Sequence, residues 1–324
     1  MPTRFRSRSL AVALALGVFV GTSASPAWSA PQPPPHRARG AVSDHIVIIS
    51  VDGLRPDAIA RYAPRRISRL LREGSSTLHA QTILPSKTLP SHTSMLTGED
   101  VDHHGITWND NETDVHGTVA VPTVFGLARE HGFRTAAFFS KGKFNHLEVP
   151  GSLDYAQAPT GNGKWSADRT AGDVEKYLAA HGPNLLFVHF GEPDYAGHRW
   201  GWMSWAYGRA VQKADEGVAR VLAAADRAFG DGNYTVILTA DHGGHGRTHG
   251  SRDPLDTTIP WITWGRGVRG HTTVSDAVRT MDTAGTTLWL LGVEPPAGLE
   301  GSPVRSAYTD GARHAADAVA AGGP

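Results

Sequence analysis

The stretch Tyr234-Thr-Val-Ile-Leu-Thr-Ala-Asp-His-Gly-Gly-His-Gly-Arg-Thr-His249 begins as a buried strand and ends as a loop crowded with ligating side chains. Its opening residues form a near-continuous apolar run, as expected of a strand covered on both faces. One carboxylate and three imidazoles follow within nine positions: Asp241, His242, His245 and His249. Carboxylate and neutral imidazole are good ligands for a borderline metal such as zinc. The intervening glycines let the loop turn tightly and bring backbone close to a bound ion or substrate. The pattern predicts a metal site at the end of a strand.

Working outward, apolar runs of strand length recur at residues 45–51, 134–139, 185–190 and 259–264. Helical patterns lie between them at 64–72, 122–131, 167–180, 202–229 and 275–291. Strands alternating with helices predict an α/β fold, a three-layer sandwich around a mostly parallel central sheet. In such sheets ligands bind at the carboxyl ends of the strands. No internal repeat is visible. Residues 99–120 and 141–166 are long, polar and rich in Gly, Asn and Asp, and such loops are expected to border an active site.

The chain has 324 residues, 40% of them hydrophobic, and its 31 Lys+Arg balance 31 Asp+Glu. These are globular values, and no bulk charge points to a nucleic-acid partner. The chain has no cysteine, which excludes disulfides, thiolate ligands and a Cys nucleophile. Residues 1–29 read as a secretory signal: Arg4, Arg6 and Arg8, then an apolar run from Leu10 to Val20, then Ala27-Trp28-Ser29 as a cleavage site. The run is too short for a comfortable membrane span. The expected product is a secreted or extracytoplasmic protein with no span in the mature chain, a monomer or weak oligomer. Residues 30–43 read as a Pro-rich linker, 44–311 as the catalytic domain and 312–324 as a frayed tail.

Four fragments share one placement. Asp52-Gly53 follows the 45–51 strand, and Asp194 and His198 follow the 185–190 strand. Asp241-His242 follows the strand that ends at Thr239, and His249 closes that loop. Three Asp and three His are enough for two metal sites, each with an open position. Singly, the bland readings are strong: Asp-Gly after a strand is ordinarily a turn, and Asp four residues before His is ordinarily a helix-surface pair. Their joint occurrence at three strand ends favours metal. In Leu84-Pro-Ser-Lys-Thr-Leu-Pro-Ser-His-Thr-Ser-Met-Leu-Thr-Gly98, Thr88 stands at a predicted helix N-terminus, where an anion is favoured. Alone it reads as an N-cap; beside a dimetal site it becomes a candidate nucleophile.

Taken as an ordered set, these fragments resemble the alkaline phosphatase superfamily, and within it the nucleotide pyrophosphatase/phosphodiesterase branch. The matching pieces are Val51-Asp-Gly-Leu-Arg55, Lys87-Thr-Leu-Pro-Ser-His92, Leu96-Thr-Gly98, His104-Gly-Ile106, Glu192-Pro-Asp-Tyr-Ala-Gly-His198, Asp241-His-Gly243 and His249, across about residues 44–305. Met281 to Val293 resembles the family's last core helix. The resemblance implies two zinc ions side by side. Asp194, His198 and His249 would hold one; Asp52, Asp241 and His242 would hold the other, with Thr88 as nucleophile. His245 competes with His249.

Two departures bear on activity. The resemblance leads one to expect Asn three residues after the nucleophile, donating to a phosphoryl oxygen; Ser91 stands there, so a shorter hydroxyl is expected to serve that catalytic contact. The modified Cys or Ser motif of sulfatases is absent, which argues against arylsulfatase activity. The resemblance thus implies an exported metal-dependent phosphodiesterase or nucleotide pyrophosphatase, a phosphoric ester hydrolase working through a phospho-threonine on a small phosphate-ester substrate. The alternatives are a phosphomonoesterase on the same site and a phosphoryl-group transferase. Trp108, Tyr155 and Trp165 are candidate walls for a second ester substituent. Asn109, Lys141 and Lys143 are further candidate substrate contacts, the lysines suiting a more highly charged phosphate.

Overall fold

The computed structural model describes residues 41–313. The signal at 1–29, and most of the linker and tail readings, lie outside the described residues. In chain order the elements are β1 (Ile46–Val51), α1 (Pro56–Tyr62), α2 (Arg65–Glu73), β2 (Ser75–Gln81), α3 (Thr88–Thr97), α4 (Val101–His104), α5 (Thr113–His116), α6 (Val124–Glu130), β3 (Thr135–Phe138), β4 (Tyr155–Gln157), α7 (Ala167–Leu178), β5 (Leu185–Phe190), α8 (Glu192–Trp200), α9 (Trp205–Phe229), β6 (Thr235–Thr239), α10 (Pro254–Thr257), β7 (Thr258–Gly265), β8 (Thr272–Thr273) and α11 (Asp282–Leu291). Short 3-10 turns add Gly142–Leu147 and Arg305–Ala307.

The eight strands form one sheet in the order β4-β3-β5-β1-β6-β7-β2-β8. All neighbouring pairs are parallel except those of β7, which runs antiparallel to both β6 and β2. The mostly parallel α/β sheet expected from the sequence is therefore present. β1, β5 and β6 are buried at every residue, which is why their sequences are nearly unbroken apolar runs. Helices cover the sheet in two mutually packed groups. α1, α2, α7 and α8 pack on the 25-residue α9, and α3 and α6 pack on α11.

Three strands were not visible in the sequence. β2 (Ser-Ser-Thr-Leu-His-Ala-Gln) alternates in burial and carries no apolar run, because it lies near the sheet edge. β4 and β8 are three and two residues long. The helix expected over 275–291 begins only at Asp282. Val42 and Ser43, read as linker, are buried and their N–H groups donate to Leu290 O, so the folded body starts two residues earlier than expected.

The topology places the site. β5, β1 and β6 are adjacent and parallel, so Asp52, Asp194 and Asp241 all emerge at the same edge. The backbones interlock there: Asp52 N–H donates to Phe190 O (2.9 Å), and Asp194 N–H donates to Asp52 O (3.1 Å). Gly53, with φ +70°, lets α8 come this close; a Cβ on it would meet the Asp194 Cα at 3.1 Å.

Candidate metal centre and active site

Each imidazole is oriented by a backbone carbonyl. His242 Nδ1 faces Gly243 O at 2.8 Å, His249 Nδ1 faces Ser86 O at 2.8 Å, and His198 Nδ1 faces Arg247 O at 3.1 Å. A carbonyl only accepts, so Nδ1 carries the proton in all three rings and Nε2 turns inward. This is the arrangement that readies histidine as a metal ligand.

The inward atoms form two clusters. In the first, Asp194 Oδ1 is 3.2 Å from His198 Nε2, His198 Nε2 is 3.1 Å from His249 Nε2, and His249 Nε2 is 3.6 Å from Asp194 Oδ1. Ligands at zinc distances in a tetrahedron stand ~3.3 Å apart. In the second, His242 Nε2 is 3.4 Å from Asp52 Oδ1 and 3.2 Å from Asp241 Oδ2, with Thr88 Oγ1 at 3.5 Å. The His242 and His249 rings stack at 3.6 Å between the clusters, and His242 also lies within ligand distance of Asp194 and His249. His245 stays outside: its Nδ1 pairs with Asp256 Oδ1 at 2.7 Å.

The donors fit a divalent metal. Asp52 Oδ1, Asp194 Oδ1 and Asp241 Oδ2 are buried and make no hydrogen bond, and these are the very carboxylate atoms that face the two clusters. Buried polar atoms are otherwise almost always paired. Electrostatics agree. Burial and the neighbouring Asp52 charge push the Asp241 carboxyl up to about 7. Burial raises Asp52 and Asp194 as well, but the Lys141 ammonium overrides it and holds both below the usual range. One buried lysine cannot neutralise three buried carboxylates. Burial and the nearby His242 hold His249 down to about 3, whereas the adjacent Asp194 carboxylate raises His198. The face shared by His198 and His249 therefore suits a cationic occupant, a proton on His198 or a metal ion.

Thr88 is the first residue of α3 and is buried at the floor of the site. The next N–H, of Leu89, donates to Asn109 Oδ1 at 3.0 Å, and Lys143 Nζ donates to the same oxygen at 3.0 Å. Asn109 and Lys143 are thus drawn to the nucleophile candidate from two separate loops. Burial, and then the charge of Lys141, pull Lys143 down to about 8.

Other expected contacts are placed differently. The Ser91 hydroxyl donates to Asp241 O at 2.7 Å and sits 2.7 Å from Thr82 Oγ1, so it ties α3 to the ligand loop rather than facing a substrate. Lys141 is not a free cation: its Nζ is 2.5 Å from Asp52 Oδ2 and 2.6 Å from Asp194 Oδ2. Trp108 stacks on His116 at 4.3 Å, Tyr155 stacks on Tyr177 at 4.7 Å, and Trp165 lies 4.2 Å beneath Arg169. None of the three lines the cleft beside Asp194 and His198.

Two buried histidines escaped the sequence reading as site residues. His189 Nε2 donates to Asp52 Oδ2 at 2.9 Å while its Nδ1 accepts from Ser140 Oγ. His92 Nδ1 donates to Thr88 O at 2.8 Å while its Nε2 accepts from Ser50 Oγ. The signal that could have found His189 is a lone imidazole inside the otherwise apolar run of β5.

A profile of the family described as type I phosphodiesterase / nucleotide pyrophosphatase matches residues 46–264. The GPI ethanolamine phosphate transferase 1 of Gibberella zeae is 27% identical over 322 residues, covering 81% of this chain and 32% of that protein. The human protein of the same name is 26% identical, covering 74% of this chain and 27% of its own length. This chain spans about a third or less of those relatives. A bis(5'-adenosyl)-triphosphatase of Mus musculus is 24% identical, with coverage of 61% and 46%. Among solved structures, murine ectonucleotide pyrophosphatase/phosphodiesterase 5, an inactive threonine-to-alanine variant in complex with AMP, shares the fold at TM-score 0.68 and 16% identity, covering 78% of this chain and 96% of that one. A 2-O GAG sulfatase shares it at TM-score 0.66 and 16% identity, with coverage of 81% and 73%. The profile match over the sheet, α3 and the ligand loop shows that the chain belongs to the type I phosphodiesterase / nucleotide pyrophosphatase family, whose members act on phosphoester bonds.

Proposed function

We propose that this protein hydrolyses phosphodiester or nucleotide pyrophosphate bonds through a phospho-threonine on Thr88, at a site holding two zinc ions. The observation that carries this reading is the pairing of three orphaned buried carboxylate oxygens with inward-facing imidazoles, in two clusters beside one threonine hydroxyl. Asp194, His198 and His249 would hold one ion, and Asp52, Asp241 and His242 the other. When bound, the ions supply Lewis acidity and neutralise phosphoryl charge. The chain's own residues do the rest. α3 presents Thr88 Oγ1 for in-line attack on phosphorus: the hydroxyl proton leaves to solvent, the Oγ1–P bond forms and the bond to the leaving oxygen, which takes up a proton from solvent, breaks. Asn109 keeps its Nδ2 protons for a phosphoryl oxygen, the role first read onto Ser91. Water then cleaves the Oγ1–P bond and restores Thr88. The signal-like residues 1–29 support action outside the cytoplasm.

A transferase reading has its own support: relatives named GPI ethanolamine phosphate transferase 1 match about three quarters or more of this chain. The two readings share the covalent step and differ in whether water or an alcohol accepts the phosphoryl group. The test is turnover of bis(p-nitrophenyl) phosphate and p-nitrophenyl phosphate by the zinc-loaded protein, with and without ethanolamine or glycerol as acceptor. Thr88→Ala should abolish turnover while two equivalents of zinc stay bound. Full activity in that variant overturns the phospho-threonine. A phosphoryl group carried on ethanolamine or glycerol, in place of p-nitrophenyl phosphate from the diester or free phosphate from the monoester, moves the assignment to transferase, and faster monoester turnover moves it to monoesterase.

A further inference from the structure

We infer that the cleft flanking Asp194 and His198 receives a part of the substrate that carries its own negative charge, and that Lys164 selects for it. This rests on the phosphoester reading above. The sequence led us to expect an aromatic wall for the second ester substituent, and the structure has none there. The cleft, about 230 Å³, is lined by Lys141, Lys143, Lys164, Asn162 and Asp110 with two glycines, besides Asp194 and His198. No aromatic ring lines it, so a nucleobase or other flat apolar group finds no stacking face in it.

The three ammonium groups differ in what they have left to offer. Lys141 is consumed between Asp52 and Asp194. Lys143 turns towards Asn109 and the Thr88 end of the site. Lys164 is exposed and makes no ion pair among the described residues; its Nζ rests 4.4 Å above the Tyr195 ring. That ring is also 5.1 Å from Lys141 Nζ, and its hydroxyl donates to Ser140 O at 3.2 Å. Tyr195 follows the ligand Asp194 directly, so the ring ties Lys164 to the first metal cluster.

The backbone fixes this placement too. Residues 159–165 lie as a strap across the start of the 142–147 turn. Lys141 and Lys164 form an antiparallel bridge, Gly142 N–H donates to Gly163 O at 3.0 Å, and Trp165 N–H donates to Ser140 O at 2.8 Å. A Cβ on Gly142 would meet Gly161 O at 2.1 Å and Pro159 O at 2.4 Å, so only glycine admits the strap at this depth. A cation held this way, beside a site that binds one phosphoryl group, meets the next anionic group along the substrate, whether a second phosphate or a carboxylate.

The test uses the full, zinc-loaded chain and two p-nitrophenyl alkyl phosphodiesters that differ only in a terminal carboxylate or carboxamide. Wild type should prefer the carboxylate by about fivefold in kcat/KM, the scale of one exposed charge pair, and the preference should fade at high salt. Lys164→Gln should abolish the preference, Lys164→Glu should reverse it, and Lys164→Arg should keep it. Equal turnover of the two esters by wild type, or a preference that survives in Lys164→Gln, overturns this inference and leaves the phosphodiesterase reading standing. Turnover of neither ester overturns the phosphodiesterase reading and this inference with it.

Discussion

The Nε2 atoms of His198 and His249 face each other at 3.1 Å, with each ring's Nδ1 proton already given to a backbone carbonyl. Two neutral imidazoles have no reason to hold their lone pairs together unless a cation, a proton on His198 or a metal ion, sits between them. His249 comes from the loop after β6 and His198 from α8, so the contact also joins two segments far apart in sequence.

On the two-zinc proposal, metal is part of the protein's stability. We expect zinc to raise Tm and EDTA to lower it, each ion adding about 2.7 kcal/mol of stability when free zinc is a hundredfold above its Kd. Calorimetry with elemental analysis would check this, and His249→Ala should bind one equivalent fewer. His189→Ala, which removes the donor to Asp52 Oδ2, should weaken zinc affinity about 10- to 100-fold at unchanged stoichiometry.

Lys141 should matter most when metal is stripped away. Lys141→Met leaves Asp52 and Asp194 as neighbouring buried carboxylates with no counter-ion. Breaking a buried pair in this way costs about 3–5 kcal/mol. Urea unfolding should show that loss in EDTA and much less of it in zinc, because the ions take over the neutralising role. An equal loss under both conditions would mean that Lys141 acts only through packing.

Ser91 and Asn109 should separate stability from catalysis. Ser91→Ala removes the hydrogen bond to the Asp241 carbonyl and should lower stability by about 1–3 kcal/mol while changing kcat little. Asn109→Ala should lower kcat about 10²-fold, the scale of one lost oxyanion donor. Steady-state kinetics beside thermal melts decides, and the reverse pattern would return the phosphoryl contact to Ser91.

Lys143 gives a pH signature. Its folded value of about 8 lies below the ordinary lysine value, so the ammonium is present below pH 8 and is lost as pH rises through it. KM for a phosphomonoester should climb above pH 8. Lys143→Arg, whose guanidinium stays charged, should flatten that limb. A limb unchanged in the variant would assign the titration to another group.

Much of this was legible along the chain, for identifiable reasons. β1, β5 and β6 lie in the middle of the sheet and are covered on both faces, so burial wrote itself into their composition. β2 has half its residues turned away from the core and no such run. Asp52, Asp194 and Asp241 could be grouped because each lies one to four residues past the end of a strand, and parallel neighbours end at one edge. The direction of Ser91 was not legible, because its distance from Thr88 along the chain says nothing about where its hydroxyl points. Within α3 it turns to the Asp241 carbonyl, whereas Asn109 arrives from another loop to meet Leu89 N–H.

By itself the sequence determined the α/β class and the edge at which the Asp and His side chains gather, because periodicity and residue chemistry are local properties. Only the tertiary structure set His249 beside Asp194 and His198 and His245 on Asp256, turned Lys141 towards Asp52 and Asp194 as a counter-ion, and placed lysines rather than an aromatic wall along the cleft. Each of those outcomes depends on which backbone carbonyl or carboxylate lies within about 3 Å of a side chain, the reach of a hydrogen bond. That is settled by how loops distant in sequence pack against one another.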